Sequence, residues 1–175
     1  MTKSTNQLIK LKMIKCLFGT SSGKSTAKIT PTKCGTIDDA AAIVHDEWMK
    51  RNPKQDWNAA QHVHYNELPE NEKDKDRLQV NIMLAILKKY KHIAITPKME
   101  YVISDEFAAI AHEEWRRNLA STGHTGPRMK DSINGKVNIN VSWSQLHPEW
   151  KYENFAAGQA AISAISISTT HQNIV

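Results

Sequence analysis

The feature that most constrains this chain is a stretch that occurs twice. Ile43-Val44-His45-Asp46-Glu47-Trp48 is followed, 67 positions later, by Ile110-Ala111-His112-Glu113-Glu114-Trp115. Extended back to Asp38 and Asp105, the two copies share seven identities in eleven positions. Unrelated amphipathic helices share apolar periodicity, but not a histidine and a tryptophan at one spacing. The pair marks an internal repeat, which commits the chain to a fold built by packing two like halves.

A length of 175 residues suits one domain, or two small halves sharing a core. No apolar run approaches the roughly 18–20 residues that a membrane span needs. The net charge of +5 is unevenly placed: residues 1–36 hold seven lysines and no acid, leaving the remainder at −2. The basic character therefore belongs to an N-terminal arm, expected to be flexible and to make weak contact with nucleic acid or another acidic surface. Cys16 and Cys34, both in the arm, make no disulfide framework and are expected to be free thiols in a reducing, intracellular compartment.

Within the arm, Gly19-Thr20-Ser21-Ser22-Gly23-Lys24-Ser25 invites comparison with a phosphate-binding P-loop. That loop needs its first glycine at position 18, which is Phe18, and must open a helix. The following residues, ending in Thr30-Pro31, read as extended chain, so nucleotide hydrolysis here is the most distant reading.

The first repeat spans residues 37–90. Ala41, Val44, His45 and Trp48 fall on one face of a helix, with Asp38 and Asp39 in its first turn. A connection containing Trp57 and His62-Val63-His64 leads to a second helix opened by Pro69, with Leu78, Ile82, Ala85 and Ile86 on one stripe. The alternating charges at 70–77 read as a solvated face.

A linker of residues 91–103 carries β-like pieces at His92–Thr96 and Tyr101-Val102-Ile103. The second repeat, 104–168, starts with Ser104 as N-cap of the helix bearing His112 and Trp115. Its connection holds Gly123-His124-Thr125-Gly126-Pro127-Arg128, then a half-buried strand at Val137–Val141. From Tyr65, which faces Trp143, the offset between repeats becomes 78, so the second connection is 11 residues longer. Phe155, Ile162 and Ile165 supply the apolar face of the last helix; the chain from Ser166 reads as a fraying end, with 169–175 a tail.

These residues resemble the RyR domain, the repeat of ryanodine receptors that also occurs in bacterial, phage and large-virus proteins. The resemblance lies in His-x-x-Trp on one helix, then Tyr65-x-Glu67-Leu68-Pro69-Glu70-x-Glu72-Lys73-x-x-Asp76-Arg77 opening the next. Gly126-Pro127-Arg128 is similar to the family's Gly-Pro-x-Arg turn, whereas Trp143, His147 and Asn154 depart from its pattern. Over residues 37–168 the resemblance implies a mainly α fold with short β-strands. It would consist of two tandem helix-loop-helix repeats about a pseudo-twofold axis. It implies ligand sensing or adenine-nucleotide binding rather than catalysis.

His45 and His112 lie on apolar faces, where a structural role with a bond to backbone is expected. His62 and His64 lack partners at zinc-like spacing, and no metal or cofactor is expected. Arg128 is the best candidate for an anion contact, because guanidinium forks onto phosphate. Trp57, Trp143 and Tyr65 are the candidates to stack on a flat ligand. No Ser-His-Asp or Cys-His constellation stands out, so no enzyme is expected. The expectation is a binding module for a nucleotide-like or phosphate-bearing ligand held between the repeats. The alternative is a structural or adaptor protein with a protein partner, of the kind found as a virus-encoded virion component, docking through its arm.

Overall fold

Thr36 opens the first helix by a reciprocal cap: its hydroxyl accepts from the Asp39 amide at 3.1 Å, and its own amide donates to the Asp39 carboxylate at 2.7 Å. The helix, α1 (Ile37–Arg51), carries Asp38 and Asp39 in its first turn and Lys50 and Arg51 in its last, both matched to the helix dipole. The computed structural model describes residues 36–90 and 95–170, with side chains to residue 166. The arm before Thr36, with Cys16, Cys34 and the Gly19–Ser25 loop, lies outside the described residues, as do most of the β-like piece at His92–Thr96 and the last five residues.

After α1 the chain makes two 3-10 turns, Asp56–Gln61 and Tyr65–Glu67, and enters α2 (Glu70–Lys89) through Pro69. The helix bearing His112 and Trp115 starts earlier than its sequence suggests. This helix, α3, runs Pro97–Ser121, capped by the Thr96 hydroxyl. Tyr101-Val102-Ile103 is therefore helical, and Ser104 is a fully buried residue within the helix rather than its N-cap. The reason is local: Thr96 as cap and Pro97 at the first helical position start a helix more strongly than three β-prone residues oppose it.

The long connection folds as a hairpin of β1 (Met129–Ser132) and β2 (Gly135–Asn138), antiparallel with Met129 opposite Asn138 and Ser132 opposite Gly135. Gly135 has φ +110°, which a residue with a side chain would resist, so the turn depends on it. The strand expected at Val137–Val141 is thus displaced toward the N-terminus. One further rung, Ile139 N–H to the Arg128 carbonyl at 2.9 Å, extends it. A 3-10 turn at Trp143–Gln145 precedes α4 (Pro148–Thr170), so the chain from Ser166 continues as helix instead of fraying there.

The repeat is visible in the elements themselves. The turns starting at Tyr65 and Trp143, and the helices starting at Glu70 and Pro148, keep the same 78-residue offset. The extra length of the second connection is taken up by the hairpin. Within each repeat α1 packs on α2 and α3 on α4; between repeats α1 meets α4 and α2 meets α3, the reciprocal pairing that a twofold relation requires. One core results, including Val44, Met83, Ile86, Ile103, Phe107 and Ile165, each large side chain contributing roughly 1.5–3 kcal/mol through burial. Among the described residues no helix is long and apolar enough to cross a membrane.

The buried stripe of α2 is Asp76, Val80, Met83 and Leu87, joined by Ile82 and Ile86; Leu78 is half-buried and Ala85 exposed, contrary to expectation. In the other repeat the corresponding helix makes its closest approach at Gly158. A Cβ there would sit 2.9 Å from the Phe107 ring and 3.0 Å from the Ser104 carbonyl oxygen. The equivalent positions in repeat one are Val80 and Ala40, both buried, so volume has been exchanged between the two helices while the packing plan is kept.

Candidate functional site

The two repeated histidines anchor the connections to the helices. His45 Nε2 lies 3.0 Å from the Val63 carbonyl, and His112 Nε2 lies 2.8 Å from the Val141 carbonyl. Val63 and Val141 are themselves 78 positions apart, so one bond is made twice at equivalent places. A carbonyl can only accept, so in both rings Nε2 is the protonated nitrogen. Each ring packs beside its own tryptophan, at 5.9 Å for His45–Trp48 and 5.6 Å for His112–Trp115.

Tyr65 and Trp143 occupy a second pair of equivalent places, against the same histidines at 6.3 and 5.9 Å. Lys73 lies over the Tyr65 ring and Lys151 over the Trp143 ring, again 78 positions apart. Tyr65 is buried and donates to Asp38 at 2.7 Å. Burial and the neighbouring Asp38 carboxylate hold its hydroxyl well above the ordinary tyrosine range. Trp143 is half-buried, with its backbone N–H bonded to Glu113 at 2.7 Å. Neither ring lines the cleft described below: Tyr65 is buried in the core and Trp143 is half-buried against His112. His62 and His64 are also used separately. His62 Nε2 donates to the Asn52 carbonyl, and His64 Nδ1 accepts from the Asn66 amide.

The repeats differ at Asp76. Its carboxylate Oδ2 lies 3.3 Å from His45 Nδ1, in an almost fully buried pair. The equivalent residue, Asn154, turns its amide onto the Trp150 carbonyl at 2.7 Å. Burial pushes the Asp76 carboxyl up to about 6, and His45 offsets part of that rise.

Asp76 and His45 form the buried end of a cleft of about 320 Å³, near the lower limit for small-molecule sites. Repeat one supplies one wall, with Trp48, Trp57, Gln61 and Gln79. The hairpin of repeat two supplies the facing rim, Arg128 and Lys130. Lys130 Nζ lies 4.5 Å from the Trp57 ring centre, and the Arg128 guanidinium lies 5.7 Å from that of Trp115. The backbone holds Arg128 in place: its amide donates to Asn138 Oδ1 at 2.8 Å, while the Asn140 side chain binds the Gly126 carbonyl. Trp57 remains 63% exposed, leaving ring surface open at the rim.

Of the four residues expected to touch ligand, then, Arg128 and Trp57 share one cleft, and Tyr65 and Trp143 do not. Sequence reasoning missed Asp76, Lys130 and Lys75, which also line it. Asp76 could have been found, since it falls four residues before Val80 on the apolar stripe. Lys130 and Lys75 carried no such signal. Among the described residues there is no group of three metal-ligating side chains. Comparison of the chain with known protein families, curated proteins and solved structures finds no match.

Proposed function

We propose that this chain is a non-enzymatic binding module of the RyR type, whose ligand is nucleotide-like or phosphate-bearing and occupies the cleft between repeat one and the hairpin. The observation that carries this reading is the meeting of Arg128 and Lys130 from one repeat with the exposed Trp57 of the other across one cavity. Guanidinium and ammonium groups bind anionic oxygens, and an open indole face takes a planar ring. The resemblance of Gly126-Pro127-Arg128 to the family turn supports the same placement.

Binding rather than catalysis fits the buried pair. In a histidine–aspartate pair that moves protons for a substrate, Nε2 faces the substrate. His45 Nε2 is instead held by the Val63 carbonyl. A thermal-shift screen with ATP, ADP, cyclic nucleotides and NAD tests the reading. At least one compound is expected to raise the melting temperature, and Arg128→Ala to abolish the rise; no rise with any of them overturns it.

The adaptor reading keeps one observation of its own, the split between a basic arm and a body at −2. Deletion of residues 1–36 abolishes partner or nucleic-acid capture in a pull-down if that reading holds, and leaves capture unchanged if it does not.

A further inference from the structure

We propose that the cleft reads its ligand at both ends: Arg128 and Lys130 take an anionic group at the rim, and Asp76 accepts a hydrogen bond from an amino N–H on the ligand's planar body. The inference rests on the binding reading above and names the ligand class more narrowly. Planar compounds bearing an exocyclic amine and an anion are favoured over their oxo counterparts.

Three features carry it. First, Asp76 uses one carboxylate oxygen toward His45, and among the described residues the other accepts no bond, although the residue lines the cleft. A carboxylate has only acceptors to offer, so a ligand amine satisfies it and a ligand carbonyl at the same point is repelled. Second, the charges facing Asp76 leave this preference intact. On its own helix Glu72, which also lines the cleft and disfavours ionisation of Asp76, is paired with Lys75; His45 faces Asp76 from α1; Arg128 and Lys130 belong to the opposite rim. Third, His45 is a positioning residue. With Nε2 committed to Val63, its Nδ1 fixes one oxygen of Asp76 and thereby aims the other.

The same geometry predicts a pH signature. Burial places Asp76 titration at about 6, so acidification through that value neutralises the acceptor and the amine preference declines.

The test uses the full chain and two matched pairs of probes, AMP with IMP and CMP with UMP, titrated calorimetrically at pH 7.5 and 5.5. Within each pair the exocyclic amine is exchanged for an oxo group and the adjacent ring nitrogen changes from acceptor to N–H, so agreement between the purine and the pyrimidine pair is required for the amine to be the group read. The amino member is expected to bind on the order of tenfold more tightly at pH 7.5, the size of one hydrogen bond to a charged group, and less preferentially at pH 5.5. Arg128→Ala weakens all four. Asp76→Ala brings the amino-to-oxo ratio to about one. Asp76→Asn retains part of the preference, because the amide can donate to His45 Nδ1 and leave its carbonyl toward the cleft, but the ratio no longer changes with pH. A merely structural Asp76 would move all four affinities together. Equal binding of amino and oxo probes to the wild-type chain, with Arg128→Ala still weakening both, overturns this inference and leaves the cleft assignment standing. Failure of all four to bind removes both. If Asp76→Ala does not fold, a pH-dependent ratio in Asp76→Asn overturns the inference by itself.

Discussion

Asp76 Oδ2 lies 3.3 Å from His45 Nδ1 in a nearly dry environment, and the other nitrogen of His45 already donates to Val63. With Nε2 committed to Val63, Nδ1 is the ring nitrogen that faces the Asp76 carboxyl group. The pair exists in repeat one alone, since position 154 in repeat two is asparagine. That asymmetry makes the pair accessible to experiment.

A pH effect on stability follows, with its sign fixed by the direction of the shift. Asp76 titrates at about 6 in the folded chain against 3.8 in its absence, so between these values the native state binds more protons. Its contribution is full below the lower value and is lost as pH rises through the upper one, by about 3 kcal/mol in all. Asp76→Asn removes this term, and repeat two already accommodates asparagine at the equivalent place. In denaturant melts the variant is expected to gain on the wild type by that amount between pH 4 and 7. A constant difference across the range would contradict the assignment.

The two histidines make the same backbone bond but are not equally costly to lose. His45→Ala leaves a buried carboxylate without its partner, a loss of roughly 3–5 kcal/mol. His112→Ala leaves the part-buried Val141 carbonyl without this partner, a smaller loss of roughly 1 kcal/mol. A double-mutant cycle of His45→Ala with Asp76→Asn should show coupling of at least about 1 kcal/mol, because the second change relieves the stranded charge.

Gly158 is required by close approach and not by backbone conformation. Gly158→Ala brings a methyl to 2.9 Å from Phe107 and 3.0 Å from the Ser104 carbonyl oxygen. The strain of about 1–3 kcal/mol should exceed the gain of roughly 1 kcal/mol from better helix propensity. Thermal denaturation is expected to show net destabilisation. Phe107→Leu in the same background recovers only part of it, since the Ser104 backbone stays where it is.

Much of this architecture was legible because the repeat is written in side chains that do structural work. His45 and His112, read as buried and backbone-bonded, are both so, and the 78-residue offset inferred from Tyr65 and Trp143 reappears in turns and helix starts. Tyr101-Val102-Ile103 is β-prone by residue type, but the Thr96-Pro97 start signal before it carries it into the helix. The charge run at 70–77 is mostly the solvated face that its sequence suggests. Seven of its eight residues behave as a solvated or partly solvated face, while Asp76 turns inward on the period of the apolar stripe. The cleft itself was half legible. Arg128 and Trp57 stood out by residue type, but the hairpin that carries Lys130 across to Trp57 is a tertiary contact between residues 73 positions apart, with no local trace. Tyr65 and Trp143 stood out equally by residue type, but neither lines that cleft.

Among the described residues two like repeats make one cleft, because the hairpin that rims it belongs to repeat two. Calorimetric titration of the strongest compound from the nucleotide screen tests this most directly. One site per chain is expected, with affinity reduced about tenfold or more by Arg128→Ala, as for loss of a charge-assisted contact. Two equivalent sites per chain, or an affinity unchanged by Arg128→Ala, would contradict it.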